Sequence, residues 1–579
     1  MPRAPLALIA LLLTIDASAQ SWTQWGGNSR HEGNSSVVGN SLFRIDTEMV
    51  LDPFVELSKA QTGGTLLVHY PVPLVSGDEV VVVVKSGSFT SLATPQTQIW
   101  NVLSLRTSGR QLLPRWIYQT DWKPVPMGTP GAPSWEPVYH VVMTDDAVWA
   151  PGAGGTIDRI SRATGVRVGR INPFGTAVDP NTYVTGPPVV DGQGNIYYNV
   201  MQFAADPNPW QVDPAGAWLV RVAPDGTATR ATFASLTPKA PPPDGQCTLQ
   251  FNSVHPLPWP PSRDAVAPAT RCGAQRPGIN VSPAIGSDGT VYTISRAHLN
   301  DRWGFLVAAS ADLSPKWSAT LRNRLSDGCN VNLPANGSPG GCRDDATTGV
   351  DPMDNQPGSG RVLDVSTSSP VVLPDGNIIY GAYSRYNYSQ GHLMMFDTNG
   401  SWLRAYGFGW DLTPSVYRHG NTYSIVLKEN RYSVSSYCSP PFCPFDRTSA
   451  TPNDPEQYLI TQLNPNLEIE WQYRNRETRS CGRDANGGIQ CSSGNNQNGF
   501  EWCVNAVAVD SRGVVYANSE DGHVYALHQD GRVERLFLRL ALFAAYTPLS
   551  IMPDGRILTQ NDGRLFVVSG PPKRRAAIK

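Results

Sequence analysis

Seven residues of the types that bind metal ions or stack on flat cofactors lie in short segments just before recurrent β-strand patterns. They are Glu136, Asn280, Trp410, Asp411, Glu501, Trp502 and Asn505. Carboxylate and amide oxygens are the ligands that Ca²⁺ prefers, and indole rings can sandwich a planar cofactor. The alternative is structural, because polar residues of these types also satisfy strand ends in wet channels.

Motifs for several common chemistries are missing from the sequence. The chain contains no HExxH, no GxSxG elbow and no P-loop, which removes the commonest metalloprotease, serine-hydrolase and nucleotide-binding sites. A formal net charge of −2 provides no long-range field for nucleic acid or anionic lipid. We expect the basic ending PPKRRAAIK at 571–579 to be a solvated tail.

The elements that would position the seven residues come from an internal repeat. The segment VSPAIGSDGTVYTIS at 281–295 has close relatives, such as SSPVVLPDGNIIYGA and NAVAVDSRGVVYANS. Each combines an apolar run, a tight turn and a run of β-formers, which is typical of a hairpin. We name its strands A and B. The A–B turns lie at 76–79, 144–147, 192–195, 287–290, 374–377, 418–421, 511–514 and 553–556.

A second set of turns predicts two more strands, C and D, in each repeat. These turns lie at 106–110, 162–166, 223–227, 312–316, 397–401, 464–468 and 528–532. The eighth repeat lacks its strand D, and LFRIDTEMV at 42–50 is the natural replacement because it closes a ring. The sequence therefore predicts an all-β fold: an eight-bladed β-propeller of four-stranded antiparallel blades over residues 20–570, closed by an N-terminal strand that completes the last blade.

The predicted meander separates two faces of the propeller. The A–B and C–D turns form one face, and the long insertions at 204–216, 234–280, 322–367, 431–456 and 475–503 form the other. We call these the turn face and the loop face. Long loops on a rigid scaffold are where binding and catalysis concentrate, so the seven residues should surround the channel mouth on the loop face. The recurrent Trp116, Trp317 and Trp471 are expected to pack blade against blade.

The N-terminus predicts export. Arg3, an apolar stretch and the small residues Ala17-Ser18-Ala19 indicate a signal peptide over 1–19, cleaved near Ala19 and Gln20. No later apolar run is long enough to span a membrane, so we expect a periplasmic or extracellular protein.

Cysteine usage fits an oxidising compartment, because all nine cysteines follow the predicted signal peptide. Proximity favours Cys247 with Cys272, Cys329 with Cys342, and Cys438 with Cys443. Three others, Cys481, Cys491 and Cys503, would share one bridge and leave one thiol, and the pairing stays open. The spacings do not match a zinc site.

The repeats carry a family resemblance. Units of the SDGTVY type, endings such as SLRTSGRQLLPRW and RATGVRVGRI, and the opening SWTQWGGNSRHEGNS at 21–35 resemble propellers built from pyrroloquinoline-quinone-like (PQQ-like) repeats. Such blades serve both quinone-dependent dehydrogenases and non-catalytic outer-membrane assembly propellers. The resemblance covers nearly all of the chain after residue 19.

For a quinoprotein, the resemblance implies PQQ, Ca²⁺ and an aspartate base. Asp411, beside Trp410 in GFGWDLTPSV, is the best candidate for the base, although this segment does not match a dehydrogenase motif. The cofactor-binding residues would be Glu136, Asn280, Trp410, Glu501, Trp502 and Asn505. The chain departs from the alcohol-oxidising pattern, because it has no adjacent cysteines. It also has no CxxCH motif for covalent haem.

The sequence favours an exported scaffold that binds a protein, glycan or small-molecule ligand on its loop face, without nucleic acid and without spanning a membrane. The alternative is a PQQ- and Ca²⁺-dependent oxidoreductase that acts on alcohols or sugars.

Overall fold

The structure is a computed structural model. It describes residues 21–249, 251, 263–326, 347, 349–351, 354–386, 389–408, 411–431, 456–483, 488–492, 496–502, 504–540 and 547–572. The predicted signal peptide, most of the basic tail, Trp410, Cys329, Cys342, Cys438, Cys443 and Cys503 lie outside the described residues.

Eight small antiparallel sheets form a ring, which confirms the eight-bladed propeller. The first four blades follow one another along the chain, and the inner strand of blades 3 and 4 is split in two. Blade 1 contains β2 (Leu74–Ser76), β3 (Glu79–Gly87), β4 (Gln98–Ser108) and β5 (Gln111–Gln119); blade 2 contains β6 (Val142–Met143), β7 (Ala147–Pro151), β8 (Ile157–Ser161) and β9 (Arg167–Ile171); blade 3 contains β10 (Thr182–Val184), β11 (Val189–Val190), β12 (Ile196–Gln202), β13 (Gly216–Val222) and β14 (Ala228–Thr232); blade 4 contains β17 (Gln275–Pro277), β18 (Ala284–Ile285), β19 (Val291–Ala297), β20 (Gly304–Ala309) and β21 (Pro315–Thr320).

The last four blades continue the same order. Blade 5 contains β22 (Val371–Val372), β23 (Ile378–Tyr386), β24 (Ser389–Phe396) and β25 (Trp402–Phe408); blade 6 contains β26 (Ser415–His419), β27 (Thr422–Arg431), β28 (Gln457–Leu463) and β29 (Ile469–Arg474); blade 7 contains β32 (Ala508–Val509), β33 (Val515–Asn518), β34 (His523–Leu527) and β35 (Val533–Phe537); blade 8 contains β36 (Ser550–Ile551), β37 (Ile557–Asn561), β38 (Arg564–Ser569) and β1 (Arg44–Val50).

Blade 8 is closed as the sequence predicts. Strand β1 pairs antiparallel with β38, from Arg44 opposite Ser569 to Val50 opposite Arg564. The outer strand of the last blade therefore comes from the opposite end of the chain. This pairing covers the edge that β38 would otherwise expose.

The remaining helices and hairpins lie outside the eight blades. They are the helices α1 (Val55–Thr62) and α2 (Phe233–Leu236), the 3-10 turns Pro95–Thr97 and Ala153–Gly155, and the loop-face hairpins β15 (Gln246–Thr248) with β16 (Ala269–Arg271) and β30 (Cys481–Arg483) with β31 (Ile489–Cys491). In the described part of the chain, no helix has the length and apolar character needed to cross a bilayer.

The two small hairpins carry the disulfides that the structure describes. Cys247 bonds Cys272, as predicted, and Cys481 bonds Cys491, which settles one of the pairings that the sequence left open. Both bridges lie on the loop face. They hold insertions together without crossing the blades.

The core lies between neighbouring sheets. Strand β3, for example, buries Val80, Val81, Val82 and Val83 on both of its faces, as expected for a strand in the middle of a blade with another blade on each side. Outer strands are half exposed instead, and β5 alternates between exposed and intermediate positions.

Tryptophans on the outer strands of blades 1, 4 and 6 join each of these blades to the next, as predicted. Their indole N–H groups donate to the C–D turn of the following blade: Trp116 to the Arg162 carbonyl at 2.8 Å, Trp317 to the Thr398 carbonyl at 2.9 Å, and Trp471 to the Gln529 side chain at 3.2 Å. Gly165 lies under the Trp116 ring, where an added Cβ would be 2.6 Å from a ring carbon. The turns therefore serve as docking points between blades.

A feature that the sequence analysis did not predict is the path of residues 22–40. This segment runs around the channel at its turn end and hydrogen-bonds to each blade in turn. Its partners are Val75, Met143, Val190, Ile285, Val372, Val416, Val509 and Gly555. Trp25 and His31 of the segment are completely buried. We call residues 22–40 the inner ring.

Candidate functional site

The inner ring occupies the turn end of the channel, so the site is built at the loop end. Three of the predicted residues, Asn280, Asp411 and Asn505, come together there. All three contact the loop at 364–369, which leads into blade 5. These three of the seven predicted residues therefore meet at one loop, and their role as a site stays a prediction.

Asp411 is buried and adopts a positive φ of 66°. Its Oδ1 accepts hydrogen bonds from the Ser366 hydroxyl at 2.9 Å and from the Thr367 backbone N–H at 2.6 Å. Its Oδ2 is buried and has no hydrogen-bond partner among the described residues. One half of the carboxylate thus holds the loop, and the other half is available as an acceptor.

Asn505 has a similar division of roles. Its amide nitrogen donates to the Thr367 hydroxyl, which also lies 3.3 Å from Asp411 Oδ1. Its Oδ1 is buried and, within the described ranges, meets no donor. Because Asp411 and Asn505 share Thr367, their two unused oxygens belong to one small region of the mouth.

Asn280 is used entirely as a structural connector. Its Oδ1 accepts from the Val138 backbone N–H at 2.8 Å, and its Nδ2 donates to the Ser366 carbonyl at 3.1 Å. Its φ of 66° lets the chain turn between the two halves of the split inner strand of blade 4. Both ends of the amide are therefore occupied by backbone groups.

Glu136 lies in a buried ion network and not in an open mouth. Lys85 is 2.7 Å from the Glu136 carboxylate and 3.1 Å from Asp52, and Tyr70 donates to Asp52 at 2.9 Å. Burial raises the pKa of Glu136, whereas the two carboxylates raise the pKa of Lys85 against its own burial. The Lys85 charge is thus the partner that this carboxylate requires in a dry site.

Glu501 and Trp502 support the junction of blades 6 and 7. Trp502 is buried, with ring centroids 5.1 Å from Tyr525 and 6.0 Å from Tyr473. The Glu501 side chain accepts from Asn430 at 3.3 Å. Trp502 is therefore packed against aromatic rings, and the assignment of Glu501 and Trp502 to a cofactor stays a prediction.

Sequence reasoning missed three buried channel histidines. His31 and His140 are close enough to interact electrostatically, and His69 interacts with Asp411 and Lys428. Burial lowers the pKa of His31 and His69 to about 4 and that of His140 to about 3. Each ring faces a backbone carbonyl through Nδ1, which opposes the effect of burial. Because burial dominates, all three rings are neutral near pH 7. Single histidines without a motif carry no signal in a sequence.

A Ca²⁺ and quinone site can be tested against these contacts. Ca²⁺ takes about six to eight oxygen ligands, whereas Glu136 is held by Lys85 and both ends of Asn280 are bonded to backbone. Within the described ranges, no three His, Cys, Asp or Glu side chains are grouped to hold a metal. The described residues do not fit that site, and the assignment of PQQ, Ca²⁺ and Asp411 as a base stays a prediction.

Comparison with known proteins supports the fold. No family model and no curated protein matches the sequence. Among solved structures, the chain is similar to the quinohemoprotein alcohol dehydrogenase from Comamonas testosteroni, with a TM-score of 0.53 and 11% identity over 97% of this chain and 82% of that chain. Weaker likenesses are to BamB from Moraxella catarrhalis (TM-score 0.40, 11% identity, 91% and 99% covered) and to the quinohemoprotein alcohol dehydrogenase ADHIIG from Pseudomonas putida HK5 (0.47, 11%, 96% and 82%). At 11% identity the likeness concerns the β-propeller alone.

Proposed function

We propose that this protein is an exported binding propeller that takes a partner on its loop face and receives one of the partner's donor groups in the channel mouth. The observation that carries the proposal is the pair of buried acceptor oxygens, Asp411 Oδ2 and Asn505 Oδ1, which have no donor within the described ranges. A buried polar atom without a hydrogen bond costs free energy, so a donor that reaches these two oxygens would stabilise the complex. An ammonium, a guanidinium or a hydroxyl group would satisfy both.

The asymmetry of the channel supports binding from one side. The inner ring fills the turn end with Trp25 and His31, so a ligand group reaches Asp411 from the loop end. The side chains of the mouth are also held in place, because Asp411 and Asn505 both hydrogen-bond to the Thr367 hydroxyl. A fixed mouth reduces the entropy that a partner must give up on binding.

Export is part of the proposal. Two disulfides on the loop face are typical of proteins that mature in the periplasm or outside the cell. The sequence signal over residues 1–19 gives the route. Such bridges keep insertions in a binding-competent shape.

The second candidate is the quinoprotein oxidoreductase. What favours it is that Asp411, the predicted base, has an unbonded oxygen beside the Asn505 amide oxygen. The quinoprotein is disfavoured because Glu136 is paired with Lys85, and the Asn280 amide is bonded to backbone groups. Both candidates use the same two oxygens, so one set of variants tests both, and the ligand that binds separates them.

Calorimetric titration of the mature protein tests the proposal. One arm uses the tripeptide Gly-Arg-Gly as a guanidinium probe, and the other uses pyrroloquinoline quinone with Ca²⁺. We expect saturable binding of the peptide that Asp411→Asn weakens at least tenfold. Asp397→Asn is the matched control, because Asp397 caps a C–D turn on the opposite face.

The outcomes are distinct. One-to-one binding of the quinone with Ca²⁺, weakened by Asp411→Asn and accompanied by dye-linked activity, would replace the binder with the quinoprotein. Binding of neither probe, or equal loss in both variants, would reject the channel mouth as the site.

A further inference from the structure

A cavity of about 450 Å³ lies on the loop face, beside the channel mouth. It forms where the loop within blade 3, the inner strand of blade 4 and the loop before blade 5 meet. Trp210, Arg276, Arg296, His298 and Asp364 are among its lining residues. Asp364 begins the loop at 364–369 that the channel site shares, and the other four lie outside that site.

The floor of the cavity contains two buried arginines that share one carboxylate. Arg276 is 1% exposed and Arg296 is 8% exposed. Arg276 binds Asp364 through both terminal nitrogens, at 2.8 and 2.6 Å, and Arg296 Nη1 reaches the same carboxylate at 3.1 Å. Asp364 also accepts from the Ile279 backbone N–H, so its acceptor capacity is used on groups of the fold.

The guanidinium groups retain donors that the fold does not use. Arg276 donates further to the His298 ring and the Pro277 carbonyl, and Arg296 donates to the carbonyls of Ala297, Val362 and His298. When these bonds are counted against the N–H groups of each guanidinium, one N–H on each Nη2 is left over among the described residues. Two charged donors thus remain in the cavity floor.

The ion pairs beside the cavity form two groups, and the group in the floor has more arginines than carboxylates. Asp301, the other acidic residue in the lining, is neutralised by Arg361, whose Nε and Nη2 bind it at 2.9 and 2.8 Å. Arg302, which pairs with both Asp351 and Asp354, lies next to this second ion pair. In the cavity floor itself, Arg276 and Arg296 are set against Asp364 alone, and a monoanion would bring this group of three to neutrality.

The remaining lining residues hold the Arg276 side chain in place and provide apolar surface for a ligand. The Trp210 ring lies 5.4 Å from the Arg276 guanidinium and is parallel to the His298 ring. His298 accepts from Arg276, and burial lowers its pKa to about 3, so it adds no charge. Pro133, Ala132 and Leu363 provide apolar lining, next to which a non-polar tail can pack.

We propose that this cavity binds a small monocarboxylate, whose two oxygens accept the spare N–H groups of Arg276 and Arg296. A carboxylate matches the fork geometry of arginine and balances the single positive charge. A phosphate dianion would reverse the imbalance. The volume leaves room for a tail larger than a methyl group. This inference does not depend on the proposed function of the channel mouth.

Calorimetry with a panel of monocarboxylates, namely acetate, lactate, benzoate and gluconate, tests the proposal. We expect one-to-one binding of at least one acid, with no binding of its neutral amide and at least tenfold weaker binding of inorganic phosphate. Arg296→Met removes one donor and the net charge, and it should weaken binding at least tenfold.

A second variant keeps the test valid if Arg296→Met fails to fold. Thr270→Asp places a negative charge in the cavity wall without touching the arginine network, and it should also weaken binding at least tenfold. Thr248→Asp lies in the same hairpin, outside the cavity lining, and should bind like the wild type. The proposal is overturned if no acid of the panel binds, if phosphate binds as tightly as the best acid, or if Thr270→Asp and Thr248→Asp bind alike.

Discussion

The two faces of this propeller are held together in different ways. On the turn face, short local turns receive tryptophans from the preceding blade, and the inner ring repeats a similar backbone contact around the channel. On the loop face, stability comes from buried ions such as Lys85 and Arg276, whose partners lie far away in the sequence. The turn face thus repeats one kind of contact from blade to blade, alongside ion pairs such as Glu79 with Arg162, whereas the described loop-face contacts differ between blades.

This difference separates the scaffold from the site. Repeated contacts can close the ring without special chemistry at any one position. The two unpaired acceptor oxygens of the channel mouth and the arginines that share Asp364 lie on the loop face. The following experiments test that division, beginning with the largest expected effect.

Deleting residues 20–50 should abolish cooperative unfolding. The deletion removes both the inner ring and β1, which leaves β38 as an open edge. Circular dichroism during thermal unfolding measures the effect. Comparison with a deletion of residues 573–579, beyond the last blade, controls for shortening the chain. A deletion protein with an unchanged transition would contradict the closure role of these residues.

Acid should destabilise the channel strongly. The folded-state pKa of His31 and His69 is about 4 and that of His140 about 3, below an unfolded value of 6.5. The unfolded chain therefore binds more protons, so this stability is complete above pH 6.5 and is lost as the pH falls toward 4.

Each histidine should contribute up to about 1.4 kcal/mol per pH unit in that range. Urea unfolding between pH 7.5 and 4.5 measures the slope, which His140→Asn should reduce by one histidine's share. A slope that does not change in the variant would show that His140 is not buried as a neutral ring.

Replacing Lys85 by Met should cost about 3–5 kcal/mol, because Asp52 and Glu136 lose their cation in a buried site. Lys316→Met on the turn face is the matched control. Lys316 is 39% exposed and lies 3.3 Å from Asp288, so its loss should cost at most about 1 kcal/mol. Equal free energies of unfolding for the two variants would contradict the contrast between the faces.

Gly165→Ala should cost about 2–3 kcal/mol, because strain at positive φ adds to overpacking against the Trp116 ring. Gly109→Ala, in the C–D turn of blade 1, also has a positive φ but has open space around it. It should cost only about 1 kcal/mol. The difference between the two variants in urea unfolding measures the docking contact itself.

The smallest effect on the global transition should come from mild reduction of the disulfides. Because both bridges lie in hairpins outside the blades, we expect less than about 1 kcal/mol in global stability. Hydrogen exchange should instead speed up at 246–248, 269–271, 481–483 and 489–491. Global unfolding under mild reductant would show that the propeller needs the disulfide-bonded loops for its stability.

The sequence predicted the blades well because their signals are local. Asp-Gly turns such as Asp288-Gly289 are written in adjacent residues, and the count of C–D turns exposed the missing strand that β1 supplies. The bridge between Cys247 and Cys272 follows from proximity in the chain. The turns, the missing strand and the disulfide can each be predicted from a few residues that are close together or regularly spaced in the chain.

The site was less predictable because its partners come from distant blades. Nothing in the sequence around Glu136 indicates that Lys85 neutralises it, and nothing around Asn280 indicates that Val138 and Ser366 occupy its amide. One overlooked signal exists. Arg296 interrupts the strand pattern VYTISRA of β19, and a charge within a buried strand points to an ion cluster.

Pairing of β1 with β38 also has a kinetic consequence. Strand β1 is synthesised first and its partner β38 almost last. Ring closure therefore joins residues that are almost as far apart along the chain as possible. Contacts of that kind slow folding, and intermediates with open edges are prone to aggregate. Closure should therefore be the late, slow step, and the inner ring can complete its bonds to blades 7 and 8 only after they have formed.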